Sequence, residues 1–520
     1  MGSDDVVTIP GALARAVREV PDTEAVVDGH TRLTYSELGV RVHRATRAFR
    51  ARGLAPGDRI ALWAPNSAEW VITALGALGA GAVLVPVNTR YKGEEARWIL
   101  AESGARLLFV ENGFLGNDYL AMLGAEPDGA PPDLPELAGV VTLDEAAVPG
   151  TTAWADFLAC GDTSTDAEMP EVAGEDPADV LFTSGTTGRP KGVVCTHGQN
   201  VRTFEAWGGR TGLARGDRYL IINPFFHTFG YKAGILACLL RGATMVLQPV
   251  FRAEETLRLV EREKITVLPG PPTIYAAMLD VPGRTQHDLS TLRLAVTGAA
   301  SVPVTLVERV RAELGMKVIT AYGLTEACGT VTVCSLDDDD VTVATTSGRP
   351  IEGIEVSVAD DRGNPVGPGE VGEVLVRGHN VMSGYLGDEE ATAAAIVDGW
   401  LRTGDLGRLD DRGNLAITGR LKDMFVVGGF NVYPAEVEQV LTGHPEVSEA
   451  AVVGIPDERM GEVGRAYVTA RRETELAKES LVTYCGERLA NFKVPREIVV
   501  LADLPRNAAG KIDKVALRAG

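Results

Sequence analysis

The sequence predicts an α/β protein: a large N-terminal domain of two parallel-type α/β subdomains plus a small β-barrel-like subdomain, then a small C-terminal α+β domain. Three observations carry this reading. Up to Gly348, short apolar β runs alternate with helical patterns, the mark of parallel strands covered by helices on both faces. After Gly348 the texture changes to short strands separated by turn signals, with DDRGN at both 360–364 and 410–414, as in a small antiparallel unit. From Val426 a fresh alternation of helix and strand begins, and about a hundred residues suffice for an independent domain.

Taken in order, strands are expected over 59–64, 82–87, 107–110, 180–182, 219–222, 244–247, 267–268, 292–296 and 317–320. Helices are expected over 35–52, 68–78, 254–264 and 304–314, where apolar residues recur at three- and four-residue intervals. The run VITALGALGAGAVLVPV, 71–87, approaches the length of a short membrane span. Its three glycines and Pro86 divide it instead into a buried helix, a glycine turn and a buried strand. Residues 124–135 and 161–179 are Pro-, Gly- and acid-rich surface connections, and the acidic run 337–340 reads as a solvated loop that lacks the ligand spacing of a Ca²⁺-binding loop. The β unit is expected to hold strands 355–358, 372–376 and 414–418. The last unit holds helix 435–441, strands 450–453 and 466–470, helix 475–489 and strand 497–501. The boundary falls in GRLKD, 419–423, which divides the chain into 1–420 (as 1–178, 179–348 and 349–420) and 421–520.

With 45% hydrophobic and 23% charged residues, the composition is that of ordinary globular protein. The net charge of -21 repels nucleic-acid backbone and anionic membrane, which argues against both as partners. Any bound phosphate must therefore be held by local donors. Six scattered cysteines form no CxxC pair, as expected of reduced thiols in a cytoplasmic protein. The seven histidines make no HxxxH or HExxH, so no transition-metal motif is visible. The acidic start MGSDDVV has no apolar segment of a secretory signal, and Val6 breaks the myristoylation pattern.

One stretch is rich in chemistry. TSGTTGRPKG, 183–192, follows the apolar run 180–182 and offers Thr183, Ser184, Thr186 and Thr187 as hydroxyl donors and Lys191 as a cation. Gly185, Gly188 and Gly192 permit close backbone approach. The Walker pattern fails, since counting from Gly185 puts Pro190 where glycine is required and Gly192 after the lysine. Two readings stay open on these residues alone: a loop gripping an oligophosphate, or an ordinary turn between strand and helix.

Four further segments keep it company: TAYGLTEA at 320–327, WLRTGD at 400–405, GRLKDMFVVGGFNVYPAE at 419–436 and LPRNAAGK at 504–511. In this order and spacing they resemble the adenylate-forming superfamily of acyl-CoA synthetases, carrier-protein adenylation domains and beetle luciferases, over essentially the whole chain. The resemblance implies that a carboxylic acid attacks the α-phosphorus of ATP, with Mg²⁺ and cationic donors offsetting the repulsion between anions, and that a thiol, that of coenzyme A, then displaces AMP. It implies that the loop from Thr183 to Gly192, with Lys191, holds the β- and γ-phosphates. Tyr322 and Gly323 would lie at adenine, Thr325 at the α-phosphate and Glu326 at Mg²⁺. The backbone of Gly298, Ala299 and Ala300 would line the adenine and acyl pocket. Asp405 would accept both ribose hydroxyls with Arg420 beside them. Lys511 would reach from a mobile C-terminal domain to bridge substrate carboxylate and α-phosphate. Lys422 would be the hinge, and Gly428, Gly429 and Phe430 would flank the pantetheine tunnel. Alone, Asp405 also reads as a turn residue, Tyr322 as core, Arg420 as a surface ion pair and Lys511 as a solvated lysine.

The acyl pocket is expected in NPFFHTFGYKAGIL, 223–236, and beside TAYGLTEA, with Phe226, His227, Phe229, Tyr231 and Cys328 as candidates. His227 is either a gate beside the carboxylate or a packed aromatic. With no cation obvious among them except Lys232, an apolar or weakly polar acid is favoured over a dicarboxylate. The stretches INPFFHTFGYKAGILACL, VLPGPPTIY, TVATTSGRP, GGFNVYPAEVEQVL and LPRNAAGK are similar to those of actinobacterial ligases for the propanoate left on the steroid C and D rings, a methyl-dioxo-hydroindane propanoate. Other aryl or medium-chain acid ligases, and a stand-alone adenylation domain loading a carrier protein, remain alternatives. A homodimer is left open.

Overall fold

A computed structural model describes residues 7–124, 134–143, 148–163, 170–183, 190–298, 302–427, 430–457, 459–471, 476–507 and 510–519. Among them an eight-stranded sheet runs in the order Gly384–Tyr385, Lys191–Thr196, Pro177–Thr183, Val83–Pro86, Arg59–Trp63, Leu107–Val110, Gly139–Thr142, Thr152–Ala153. Its central strands pair in parallel and are nearly all apolar, because helices cover both of their faces. The helix Ala68–Gly79 is one of these covers. It packs on helix Tyr35–Ala51, and a Cβ on Gly76 would come 2.6 Å from the Ala45 Cβ, so glycine permits the close approach. Its apolar sequence is thus explained by burial. No helix among the described residues is long and apolar enough to cross a membrane.

A nine-stranded sheet follows the order Arg349–Pro350, Thr332–Val333, Lys317–Tyr322, Leu294–Gly298, Val267–Pro269, Arg218–Ile221, Thr244–Leu247, Glu24–Asp28, Thr31–Thr34. Strand pairing therefore crosses the expected divisions at 178/179 and 348/349. Val26 pairs in parallel with Met245, so the first hairpin extends the second sheet, while Gly384–Tyr385 pairs with Val193 and Val194 at the edge of the first. Both are free edges capped by a strand from elsewhere in sequence, which no local pattern announces. A second difference concerns TSGTTGRPKG. The strand after it, Lys191–Thr196, runs antiparallel to Pro177–Thr183, with Thr183 opposite Lys191. The loop therefore joins two strands, and the next helix begins only at His197.

The five-stranded antiparallel unit contains Ile354–Ala359, Gly372–Gly378, Trp400–Leu409, Ile396–Val397 and Leu415–Arg420. Both DDRGN turns close as their composition predicts. Asp360 Oδ1 accepts the N–H groups of Arg362 and Asn364, and Asp410 Oδ1 those of Arg412 and Asn414. The acidic run 337–340 is more than a solvated loop: Asp339 caps helix Asp340–Thr345 by accepting the Thr342 N–H at 2.8 Å.

The last sheet is formed by Phe430–Val432, Phe425–Val427, Gly461–Ala470, Val447–Asp457 and Glu497–Leu501, with helix Pro434–Thr442 against it. Phe425, Val437, Leu441, Val452, Val468 and Ile498 make an apolar cluster of their own. The helix expected over 475–489 is confined to Lys478–Gly486.

Candidate active site

Asp405 lies on strand Trp400–Leu409 directly across from Arg420, and its side chain is only 4% exposed. Arg420 Nε donates to Oδ1 at 2.6 Å, and the Tyr322 hydroxyl, from the end of strand Lys317–Tyr322, donates to Oδ2 at 2.6 Å. Burial raises the Asp405 carboxyl above its ordinary pKa, opposed first by Arg420 and then by the Tyr322 hydrogen bond. Burial, with the Asp405 charge, holds the Tyr322 phenol well above its usual value, so it remains a donor. Each carboxylate oxygen retains acceptor capacity beyond the bond it already makes, which suits a diol.

Thr325 and Glu326 form the short turn Thr325–Ala327 just past Tyr322. Glycine is needed to get there, since a Cβ on Gly323 would collide with the Gly329 carbonyl, and one on Gly298 with the carbonyl of its register partner Ala321. The Tyr385 hydroxyl donates to Glu326 Oε1 at 3.1 Å, and the Met382 N–H to the Glu326 carbonyl at 2.9 Å. The Tyr385 ring also lies 5.0 Å from the Lys191 ammonium, which in turn sits 3.7 Å from Asp388. So loose and exposed an ion pair contributes little, and it leaves Lys191 able to exchange Asp388 for a phosphate.

His227 caps the short helix Thr228–Gly230, its Nδ1 accepting the Phe229 N–H at 3.1 Å, which leaves the proton on Nε2. The residue is exposed to solvent, yet the surrounding protein strips part of the ring's water. Burial, followed by the nearby Lys511 charge, pushes its pKa down to about 4, so the ring is neutral at physiological pH. Phe226 and Phe229 beside it are half-buried. Lys511 is held through its backbone by Asn507, whose Oδ1 accepts the Lys511 N–H at 3.1 Å. The ammonium touches solvent, but the surrounding protein strips part of its water, and desolvation first and Arg420 second lower its pKa while Asp405 and Glu326 oppose. The Lys511 charge thus acts on His227, and Arg420, Asp405, Glu326 and Lys422 act on Lys511 in turn.

Tyr231 and Cys328 are corrections to the expected pocket. Both are wholly buried: Tyr231 packs on Trp70, and the Cys328 thiol donates to Cys195 Sγ at 3.4 Å. They are core beneath the cleft in this structure, because Tyr231 belongs to a π-helical turn, Tyr231–Leu236, that faces inward. Lys422 lies exposed in the turn Leu421–Asp423. Ser184, Gly185, Thr186, Thr187, Gly188, Ala299, Ala300, Gly428 and Gly429 lie outside the described residues, and Phe430 opens strand Phe430–Val432. Sequence reasoning missed Tyr385, which carries no local signal, and the buried pair Asp179–Lys232, whose signal is a charge inside each of two apolar runs, ADVLF and YKAGIL.

The AMP-binding enzyme family matches residues 13–386, and the C-terminal domain family of AMP-binding enzymes matches 436–511. A 3-[(3aS,4S,7aS)-7a-methyl-1,5-dioxo-octahydro-1H-inden-4-yl]propanoyl:CoA ligase of Mycobacterium tuberculosis is 52% identical over 520 residues, 99% of this chain and 99% of its own. The ligase of the same name from Rhodococcus jostii is 52% identical over 518 residues, 98% of each chain. A crystal structure of an anthranilate CoA ligase with anthranoyl-AMP superposes with a TM-score of 0.90 at 30% identity, over 98% of this chain and 96% of that one. With both family signatures matched in order and relatives alike from end to end, the chain belongs to the AMP-binding enzyme family.

Proposed function

We propose that the protein is an ATP-dependent acid:CoA ligase acting on a methyl-dioxo-hydroindane propanoate or a closely similar apolar alicyclic acid, with AMP and pyrophosphate as by-products. The observation that carries this reading is the convergence of the Tyr322 hydroxyl and Arg420 on buried Asp405, with the Lys511 charge acting on His227 and drawn by Asp405 and Glu326.

In the first step a carboxylate oxygen of the acid attacks the α-phosphorus, the bond to the bridging oxygen breaks and pyrophosphate leaves. Asp405 accepts the ribose hydroxyls, and Tyr322, fixed through its hydroxyl to Asp405, presents its ring to adenine. Thr325 contacts the α-phosphate, and the loop ending at Lys191 holds the departing phosphates. Lys511 offsets the charge that builds between carboxylate and phosphate, and neutral His227 offers Nε2–H to the carboxylate. In the second step the CoA thiol gives up its proton to solvent, sulfur attacks the acyl carbon and the bond to the AMP phosphate oxygen breaks, releasing AMP. Rotation about Lys422 would withdraw Lys511 and bring Gly428, Gly429 and Phe430 to the thiol's path.

Glu326 fits a Mg²⁺ ligand. It is a hard oxygen donor on the cleft, and Mg²⁺ is commonly bound through one or two carboxylates and the substrate's phosphates. Bound there, the ion would neutralise phosphate charge in the transition state. Six cysteines held as thiols support a reducing, cytoplasmic setting.

The test is incubation with ATP, Mg²⁺, CoA and a panel of hydroindane, aryl and medium-chain acids, read by mass spectrometry of thioesters and nucleotides. The hydroindane propanoate is expected to give thioester and AMP fastest. ADP as the accumulating product contradicts the reading, and acyl transfer to a phosphopantetheinyl carrier protein without CoA thioester identifies the stand-alone adenylation alternative.

A further inference from the structure

Asp179 and Lys232 form an ion pair at 2.9 Å with both side chains fully buried. Asn200 Nδ2 donates to the other Asp179 oxygen at 2.6 Å, and Lys232 also faces Cys195, whose sulfur meets Cys328. Stability does not account for such a pair, because desolvating two charges costs about as much as their attraction returns, and apolar replacements of equal size are often neutral. Its position does. Asp179 lies on the strand that runs into the phosphate loop at Thr183, and Cys195 on the strand that leaves it at Lys191. Lys232 belongs to the π-helical turn that follows the His227 cap, and Cys328 follows the Glu326 turn. Turns of π type are rare and concentrate at functional sites. Four segments that present separate parts of the cleft thus converge on one buried polar cluster.

We propose that Lys232 is a positioning residue for acid activation: held to Asp179, it fixes the turn carrying His227 against the strand feeding the phosphate loop, and so sets the separation of acid and triphosphate. It touches neither substrate. The inference rests on the proposed acid-activating reaction, and misplacement of reacting groups by about 1 Å is enough to cost about 10²-fold in rate.

The test compares wild type with Asp179→Asn/Lys232→Met, which removes both charges while keeping size and an acceptor for Asn200. Near-ultraviolet circular dichroism and Tm report folding, ATP Kd reports the Tyr322–Asp405 grip, and acid-dependent pyrophosphate exchange reports activation. The expected result is a folded protein with unchanged ATP Kd and exchange reduced by about 10²-fold. Unchanged exchange overturns the proposal, as does a loss of exchange and ATP binding together in proportion to the unfolded fraction. Should the double variant not fold, Asp179→Asn/Lys232→Leu, which likewise leaves no buried charge unpaired, decides in its place, with exchange lowered at unchanged ATP Kd supporting the proposal and unchanged exchange overturning it. Wild type without exchange on any acid refutes the reaction itself and the inference with it, whereas active wild type beside an equally active variant refutes the inference alone.

Discussion

Asp405 shows how much one side chain does here. Its burial would be costly unless its oxygens were satisfied, and Arg420 and Tyr322 satisfy them while leaving lone pairs for a ribose. Asp405→Ala is expected to raise the KM for ATP by the equivalent of about 1.5–3 kcal/mol, the worth of hydrogen bonds to a charged group, and steady-state kinetics at saturating acid checks it. Lys511 gives a pH signature. Its pKa is lowered, chiefly by desolvation and then by Arg420, so as pH rises the ammonium is lost earlier than from a free lysine, at about 10.4. Adenylation kcat/KM should fall with an alkaline limb below that value, since this ratio reports the free enzyme. In Lys511→Arg, whose guanidinium does not titrate in this range, the limb should vanish even if the overall rate is lower.

At the scale of elements, the turn Thr325–Ala327 depends on the chain passing close to itself at Gly323. Gly323→Ala is expected to destabilise by about 1–3 kcal/mol through overpacking, with a larger loss of exchange than of Tm would imply, because Thr325 and Glu326 move with the backbone. Thermal unfolding and pyrophosphate exchange on the same preparation test this. The strand Trp400–Leu409 shows why some elements were illegible in sequence. RTGD reads as a turn because Gly404 takes a positive φ of 67°, at a register irregularity against Gly372–Gly378, so a β-bulge inside a strand carries a turn's composition and re-aims Asp405. The strand Lys191–Thr196 was missed because a brief apolar stretch before a helix cap has no period long enough to assign. The DDRGN turns and the buried helix Ala68–Gly79 were legible because their causes are local. Tyr385 on Glu326 and Lys232 on Asp179 depend on sheet pairing and packing between distant segments, which no window of sequence contains. Of the residues named from motifs, Tyr322 and Arg420 meet on Asp405, whereas Tyr231 and Cys328 are core.

Across the whole molecule, a unit with its own apolar core delivers one lysine to a cleft built by the rest of the chain. If that unit serves both half-reactions in turn, Lys511 is needed for the first and withdrawn for the second. The most direct measurement takes Lys511→Ala and assays each half separately, with pyrophosphate exchange for adenylation and thioester formation from a supplied acyl-adenylate for transfer to CoA. Exchange is expected to fall by about 10²- to 10³-fold, as when a transition-state donor is removed, while transfer from the supplied adenylate continues near the wild-type rate. An equal loss in both halves would contradict the account and make Lys511 a structural residue.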